Sequence, residues 1–365
     1  MGLLKMYKTA LVLLYLWVTF YLTGCSHSDD VTRPAPTFES VGLDGHIVYR
    51  LAFVNNTLQA ATDRGLYRLS PEDQQWYLLG GLTHRIVDWA DLGQGHWLVS
   101  VADGDDYEII SSYAFYESLN DGASWTKLSP AFGDFSSPPD EIEPILRLLV
   151  VDKQLYATGY GVLARSDDAG RTWMKISGDW QAFATGLRAL AVSTDQSSIW
   201  YGGQGGFENI VLGHVRLADR QEQELGELNH LLPQPSTVKE IRFDPFDAQR
   251  VFVTAEGGII QSDDSGKNWA PFLLNDDYRF HFDLIADELK QGRFYTAGWS
   301  KITDTPQPLI LDVSSDNGEH WQHYRHLSST LFGGVYSLTS RLEAGERVIY
   351  VGLFKGGVMR ISNIP

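Results

Sequence analysis

The pattern S-x-[DN]-x-G-x-x-W occurs four times in this chain and restricts its fold more than any other feature. The copies are SLNDGASW (118–125), SDDAGRTW (166–173), SDDSGKNW (262–269) and SSDNGEHW (314–321), each just after an alternating apolar run. Their Ser-to-Ser spacings are 48, 96 and 52 residues; 96 is twice 48, so a degenerate copy is expected between the second and third. Recurrence at this period marks an array of supersecondary units, none of which buries its apolar faces alone.

The segments before the motifs extend the count. LQAATDRGLYRLS (58–70), LYATGYGVLARS (155–166), VFVTAEGGIIQS (251–262) and VIYVGLFKGGVMRIS (348–362) each read as a strand, a glycine-bearing turn and a second strand. WLVSVADGDDYEIISSYAFYES (97–118) and FYTAGWSKITDTPQPLILDVSS (294–315) are the same hairpin with a longer turn, and IWYGGQGGFENIVLGHVRL (199–217) is the copy without its motif. SPEDQQW (70–76) is a worn motif that keeps Ser70 and Trp76. Seven hairpins in units of about four strands predict an all-β fold, a single seven-bladed β-propeller over residues 37–365. The 35 glycines, 11 tryptophans and 17 tyrosines suit many short strands and tight turns. The last copy ends after three strands, and an orphan strand, TFESVGL (37–43), precedes the first. The N-terminal strand is therefore expected to join the last blade and close the ring, which removes an exposed edge.

A motif this acidic could be an acid/base pair, a calcium loop or a turn. The turn fits best. Led by Ser118, Ser166, Ser262 and Ser314, its central Asn120, Asp168, Asp264 and Asp316 can accept from backbone N–H groups. Gly122, Gly170, Gly266 and Gly318 suit a left-handed position, and Trp125, Trp173, Trp269 and Trp321 can pack between neighbouring sheets. A calcium loop would need more acidic ligands and a closing Glu.

The motif and its hairpin resemble the Asp-box, or BNR repeat, family. That resemblance implies a propeller but not an activity, because the family holds sialidases, xyloglucanases, sortilin-type receptors and photosystem II assembly factors. It also implies that the motif turns face away from the usual ligand site. Function is then expected on the opposite rim, from turns holding Asp63 and Arg64, Tyr160, Gln204 to Glu208, Glu256, Trp299 to Lys301, and Phe354 with Lys355. Loops between blades add residues such as Thr83 to Arg85. Arg64, Tyr160, Phe207, Tyr278, Trp299, Phe354 and Lys355 are candidate exposed anchors for a partner. The alternative is that the aromatic rings plug the mouth of the channel.

No catalytic constellation stands out. The Arg-Ile-Pro signature usual in sialidases is missing, and nothing marks Arg64, Arg85, Arg279 and Arg325 as a carboxylate clamp. By that resemblance, a xyloglucanase would carry two catalytic aspartates on a much longer, two-propeller chain, and this chain has room for one propeller. A glycosidase pair could be drawn from Asp103, Asp105, Asp106, Asp140, Glu141, Glu143, Asp276 and Asp277, but acidic loops are the default at a net charge of −17. His84, His281, His323 and His326 fall in no metal-ligand spacing, so no metal or cofactor is expected. The expected function is a non-catalytic platform for a protein or glycan partner, with a carbohydrate-active glycoside hydrolase as the alternative.

The first 24 residues read as an export signal: Lys5 and Lys8 precede an apolar run, Ala10–Leu22, too short for the roughly 20 residues of a membrane-spanning helix. LTGC (22–25) resembles the lipobox of bacterial lipoproteins, which implies lipidation of Cys25, the chain's one cysteine. Residues 25–36 then form a polar tether. Ser26, by resemblance to Gram-negative sorting, implies the outer membrane. Removing residues 1–24, with two lysines and no acid, takes the charge from −17 to −19. Such a chain repels nucleic acid, so the expected partners are the membrane, through the lipid, and a protein or glycan bound by a monomeric propeller.

Overall fold

Apolar runs in this chain become strands because their β-branched and aromatic side chains fill both faces of a pleat. Val251–Ala255, for example, is VFVTA with every residue buried. The computed structural model describes residues 35–104, 112–132, 143–182, 186–226, 228–233, 237–275 and 279–365. Cys25 and Tyr278 lie outside these residues.

Among the described residues, twenty-nine strands assemble into seven sheets, the blades of a β-propeller over Pro36–Ile364. Blades 1 to 6 span residues 48–78, 85–128, 131–179, 186–224, 240–274 and 280–326; blade 7 combines 335–362 with Thr37–Gly42. Successive blades meet through their first strands, which ring the central channel. Blade 3 carries a fifth strand, Ala131–Phe132, parallel to Thr172–Asp179.

Closure is as expected. Thr37–Gly42 pairs antiparallel with Gly357–Ser362, Thr37 opposite Ser362 and Phe38 opposite Ile361. A polar clasp reinforces the seam. Arg360 donates to Glu39 at 2.6 Å and to Glu343 at 2.7 Å, and Glu343 also accepts from the Tyr350 hydroxyl at 2.6 Å and from Arg341 at 2.7 Å. Blade 7 is tied to blade 1 by the Leu51 amide, which donates to Ser337 Oγ at 2.9 Å.

The four motif turns share one hydrogen-bond set. Each serine hydroxyl accepts from the glycine amide at 2.8–2.9 Å and donates to the Asp or Asn Oδ1 at 2.8–2.9 Å. That oxygen accepts the amide four residues on, at 2.8–3.0 Å. The tryptophans lean on the preceding blade: Trp173 is buried with Leu98 and Phe115, and Trp321 sits edge-on to Phe272 at 5.5 Å. Gly318 (φ +87°) shows why glycine is needed, since a Cβ there would lie 2.0 Å from Phe272.

Glu343 makes the clasp pH-dependent. Burial raises its pKa, but the hydrogen bonds from Tyr350, Arg360 and Arg341 outweigh burial and hold it at about 2. A depressed carboxyl stabilises the fold above its ordinary value of 4.5 and loses that effect as pH falls toward 2. Glu343→Gln should therefore lower the Tm at pH 7, with the gap to wild type narrowing below pH 4.5 in calorimetric scans.

Candidate functional site

In each blade the first strand runs away from the rim opposite the motif turns, so its N-terminal residues gather around the channel mouth on that rim. Here they form a cup of about 320 Å³. Its lining holds the cations Arg85, Arg147, Arg188, Lys239 and Lys301 and the aromatic rings Tyr49, Tyr113, Phe280, Phe282, Trp299 and Tyr336, with Lys239 and Lys301 lying against the phenylalanine rings. Among the described residues, Glu256 is the one carboxylate in the lining. On a chain of net charge −17, five cations around one opening are a concentration of the minority charge.

These cations are not equivalent. Arg147 reaches across the channel to Glu240 of blade 5 and donates to the Arg188 carbonyl at 2.7 Å, forming a floor. Below it, Arg242 pairs in two-point fashion with Asp283 at 2.8 and 2.9 Å, and Arg50 pairs with Asp88. Lys239 donates to Glu256 at 3.1 Å and lies 5.0 Å from the Phe282 ring. Burial pushes its ammonium down to about 8, against the pull of Glu256. Arg188 and Lys301 are exposed and have no carboxylate partner among the described residues. A mobile anion can therefore complete the cup's charge balance.

The rim candidates separate into distinct fates. Phe207 is 92% exposed, at φ +60°, in a turn held by the Gly205 amide on the Asn209 carbonyl. Tyr160 is half-buried and shares a 3.4 Å contact between hydroxyls with Tyr113. Arg64 bonds the Gly45 carbonyl at 3.3 Å, and Lys355 the Thr303 carbonyl at 3.3 Å; both brace loops outside the cup. Expected exposure of Trp299 and Phe354 is corrected: they are 3% and 0% exposed. Trp299 ends a fully buried strand and stacks on Phe354 at 5.0 Å, seated over Gly334, where a Cβ would come within 2.0 Å. These two rings belong to the aromatic plug between blades 6 and 7, with one edge of Trp299 reaching the cup.

The four arginines weighed as a clamp do not converge. Arg85 lines the cup, Arg279 is buried on Asp312 at 3.0 Å, Arg325 lies on the outermost strand Gln322–His326, and Arg64 braces its loop. Asp103 bonds His84 at 2.6 Å. Glu143 is buried, and its oxygens accept the Tyr160 and Gln181 amides at 3.3 and 2.8 Å, which fixes two rim loops; burial raises its pKa. Asp105, Asp106, Asp140, Glu141, Asp276 and Asp277 lie outside the described residues. Asp316, Glu319 and His320 bring ligand atoms within 4.8 Å of one another, all exposed, but Asp316 is engaged in its motif turn.

Sequence reasoning placed Arg85, Glu256 and Lys301 on this rim but missed Arg147, Arg188 and Lys239. Their signal was a basic residue at or beside the start of the strand preceding each hairpin, as in RLLVV (147–151), LRALAV (187–192) and KEIRF (239–243).

No protein-family model and no characterised protein matches the chain by sequence. Solved structures do match. A GH74 xyloglucanase from Xanthomonas campestris superposes with a TM-score of 0.63 at 15% identity, over 88% of this chain and 53% of that one. YCF48 bound to D1 peptide gives 0.59 at 14% identity, over 90% and 97%. The extracellular domain of the one-component system BT4673 from B. thetaiotaomicron gives 0.58 at 12% identity, over 90% and 40%. The chain thus spans about half of the xyloglucanase and nearly all of YCF48. At such identities the likeness establishes the propeller fold.

The aromatic plug and the exposed turn should respond differently to truncation. Trp299→Ala or Phe354→Ala should cost about 3–5 kcal/mol of stability by cavity formation. Phe207→Ala should stay within about 0.5 kcal/mol, as at other surface positions. Urea denaturation of the three variants checks this.

Proposed function

We propose that this protein is a non-catalytic binding propeller that receives a carboxylate-bearing segment of a partner protein in its axial cup. One observation carries the reading: a strongly acidic chain collects five cations around one opening and leaves Arg188 and Lys301 without carboxylate partners among the described residues. Low-dielectric walls around like charges focus the field and attract an oppositely charged ligand. YCF48, which the chain nearly matches in length, is seen bound to D1 peptide and is the precedent for a peptide ligand. The motif resemblance to Asp-box propellers fits this role, as does anchoring at the outer membrane through a lipid on Cys25. A hydrolase would need two carboxylates roughly 5–10 Å apart across the substrate. Glu256, held by Lys239, stands alone in the described lining.

The test is capture of partners by the lipidated protein from its own membranes. Arg188→Glu with Lys301→Glu should remove the partners that wild type retains, and added salt should weaken capture by wild type. An unchanged partner set would contradict the reading. Separately, Cys25→Ser should move the protein from the membrane fraction to the soluble fraction. Retention in the membrane would contradict the anchor.

A further inference from the structure

Lys239 lines the cup beside Glu256, the one carboxylate of the described lining. Its Nζ is 3.1 Å from Glu256 Oε1 and 5.0 and 5.3 Å from the centroids of Phe282 and Phe280. The charged groups acting on it are Glu256, which favours the ammonium, and Arg188 and Lys301, which oppose it. Loss of hydration outweighs them all, and the ammonium titrates at about 8 rather than at the ordinary 10.5. Desolvation and neighbouring cations are the two devices that turn a lysine into a nucleophile toward carbonyl carbon. A lysine serving only as a buried strut would not open onto a cavity of about 320 Å³ beside exposed cations.

We propose that the cup captures a small 2-oxo carboxylic acid as an imine on Lys239, with Arg188 and Lys301 holding the carboxylate. The inference rests on the cup being an anion site, and it adds a covalent step. The free amine adds to the C2 carbonyl, a C–N bond forms, and the carbonyl oxygen takes a proton from solvent, to which the nitrogen's second proton is returned as the imine forms. Glu256 accepts the proton that the nitrogen gives up. It then returns that proton to the hydroxyl of the carbinolamine, which leaves as water, and C=N remains. One water is released and nothing is oxidised or reduced. Arg188 and Lys301, which have no carboxylate partner among the described residues, select an anionic carbonyl compound over a neutral aldehyde, because a carboxylate can pair with their charges.

The experiment uses the full chain with pyruvate as the probe and cyanoborohydride as the trap, followed by peptide mapping by mass spectrometry. A single reduced adduct is expected on Lys239, with a rate that is half-maximal near pH 8. At pH 7 it should form on the order of a hundredfold faster than on exposed lysines such as Lys127 and Lys267. Lys239→Arg keeps the charge and should abolish the adduct. Arg188→Gln should slow trapping of pyruvate but not of propanal. Adducts spread evenly over surface lysines, or an unlabelled Lys239 in folded protein, would overturn the proposal. If Lys239 stays unlabelled while the Arg188→Glu, Lys301→Glu variant still loses its partners, the imine falls and the binding platform stands. If Lys239 is labelled while that variant keeps its partners, the imine stands and the platform falls.

Discussion

Each blade of this propeller has two apolar faces, and both are covered only when the seventh blade meets the first. Everything else in the fold depends on that closure. The pairing of Thr37–Gly42 with Gly357–Ser362 joins the first and last described strands in one sheet and covers the edge that Gly357–Ser362 would otherwise expose. The clasp around Glu343 adds charge-assisted hydrogen bonds where the two ends of the propeller meet. The motif turns work locally on the same problem. Each one satisfies its own backbone donors and presses a tryptophan onto the blade before it.

Ring geometry also makes the site. Seven innermost strands start at one end of the channel, so whatever residues the sequence places at those starts meet around an axis. Here it places Arg85, Arg147, Lys239 and Phe280 there, with Arg188 close behind. Arg147 of blade 3 and Glu240 of blade 5 pair beneath the cup. The cations thus sit on a scaffold that is strongly acidic as a whole, with aromatic rings in the same lining.

The repeat made the fold legible, because serine, glycine and tryptophan at fixed spacing have one simple physical reading and the hairpins before them share it. Even the ring closure could be read, from three strands at one end and one at the other. The site was harder. Glu256 and Lys301 fall on turns that the repeat locates, so they could be placed on the rim. Arg188 and Lys239 lie at strand starts, where a basic residue looks like any solvated terminus until seven starts converge. Trp299 and Phe354 misled for the converse reason: a position at a turn suggests exposure, but a large ring at the inner end of a blade fills the gap between blades. Gly334, far away in sequence, decides where Trp299 can go.

Anion binding in the cup is the claim on which the function turns. The most direct measurement is the Tm of the protein titrated with oxalate against chloride at equal ionic strength, in wild type and in Arg188→Gln. A ligand that binds the folded state alone raises the Tm in a saturable way. Such a rise is expected with oxalate in wild type, and its loss is expected in the variant. Equal curves for oxalate and chloride in wild type, or an oxalate response untouched by Arg188→Gln, would contradict an anion site.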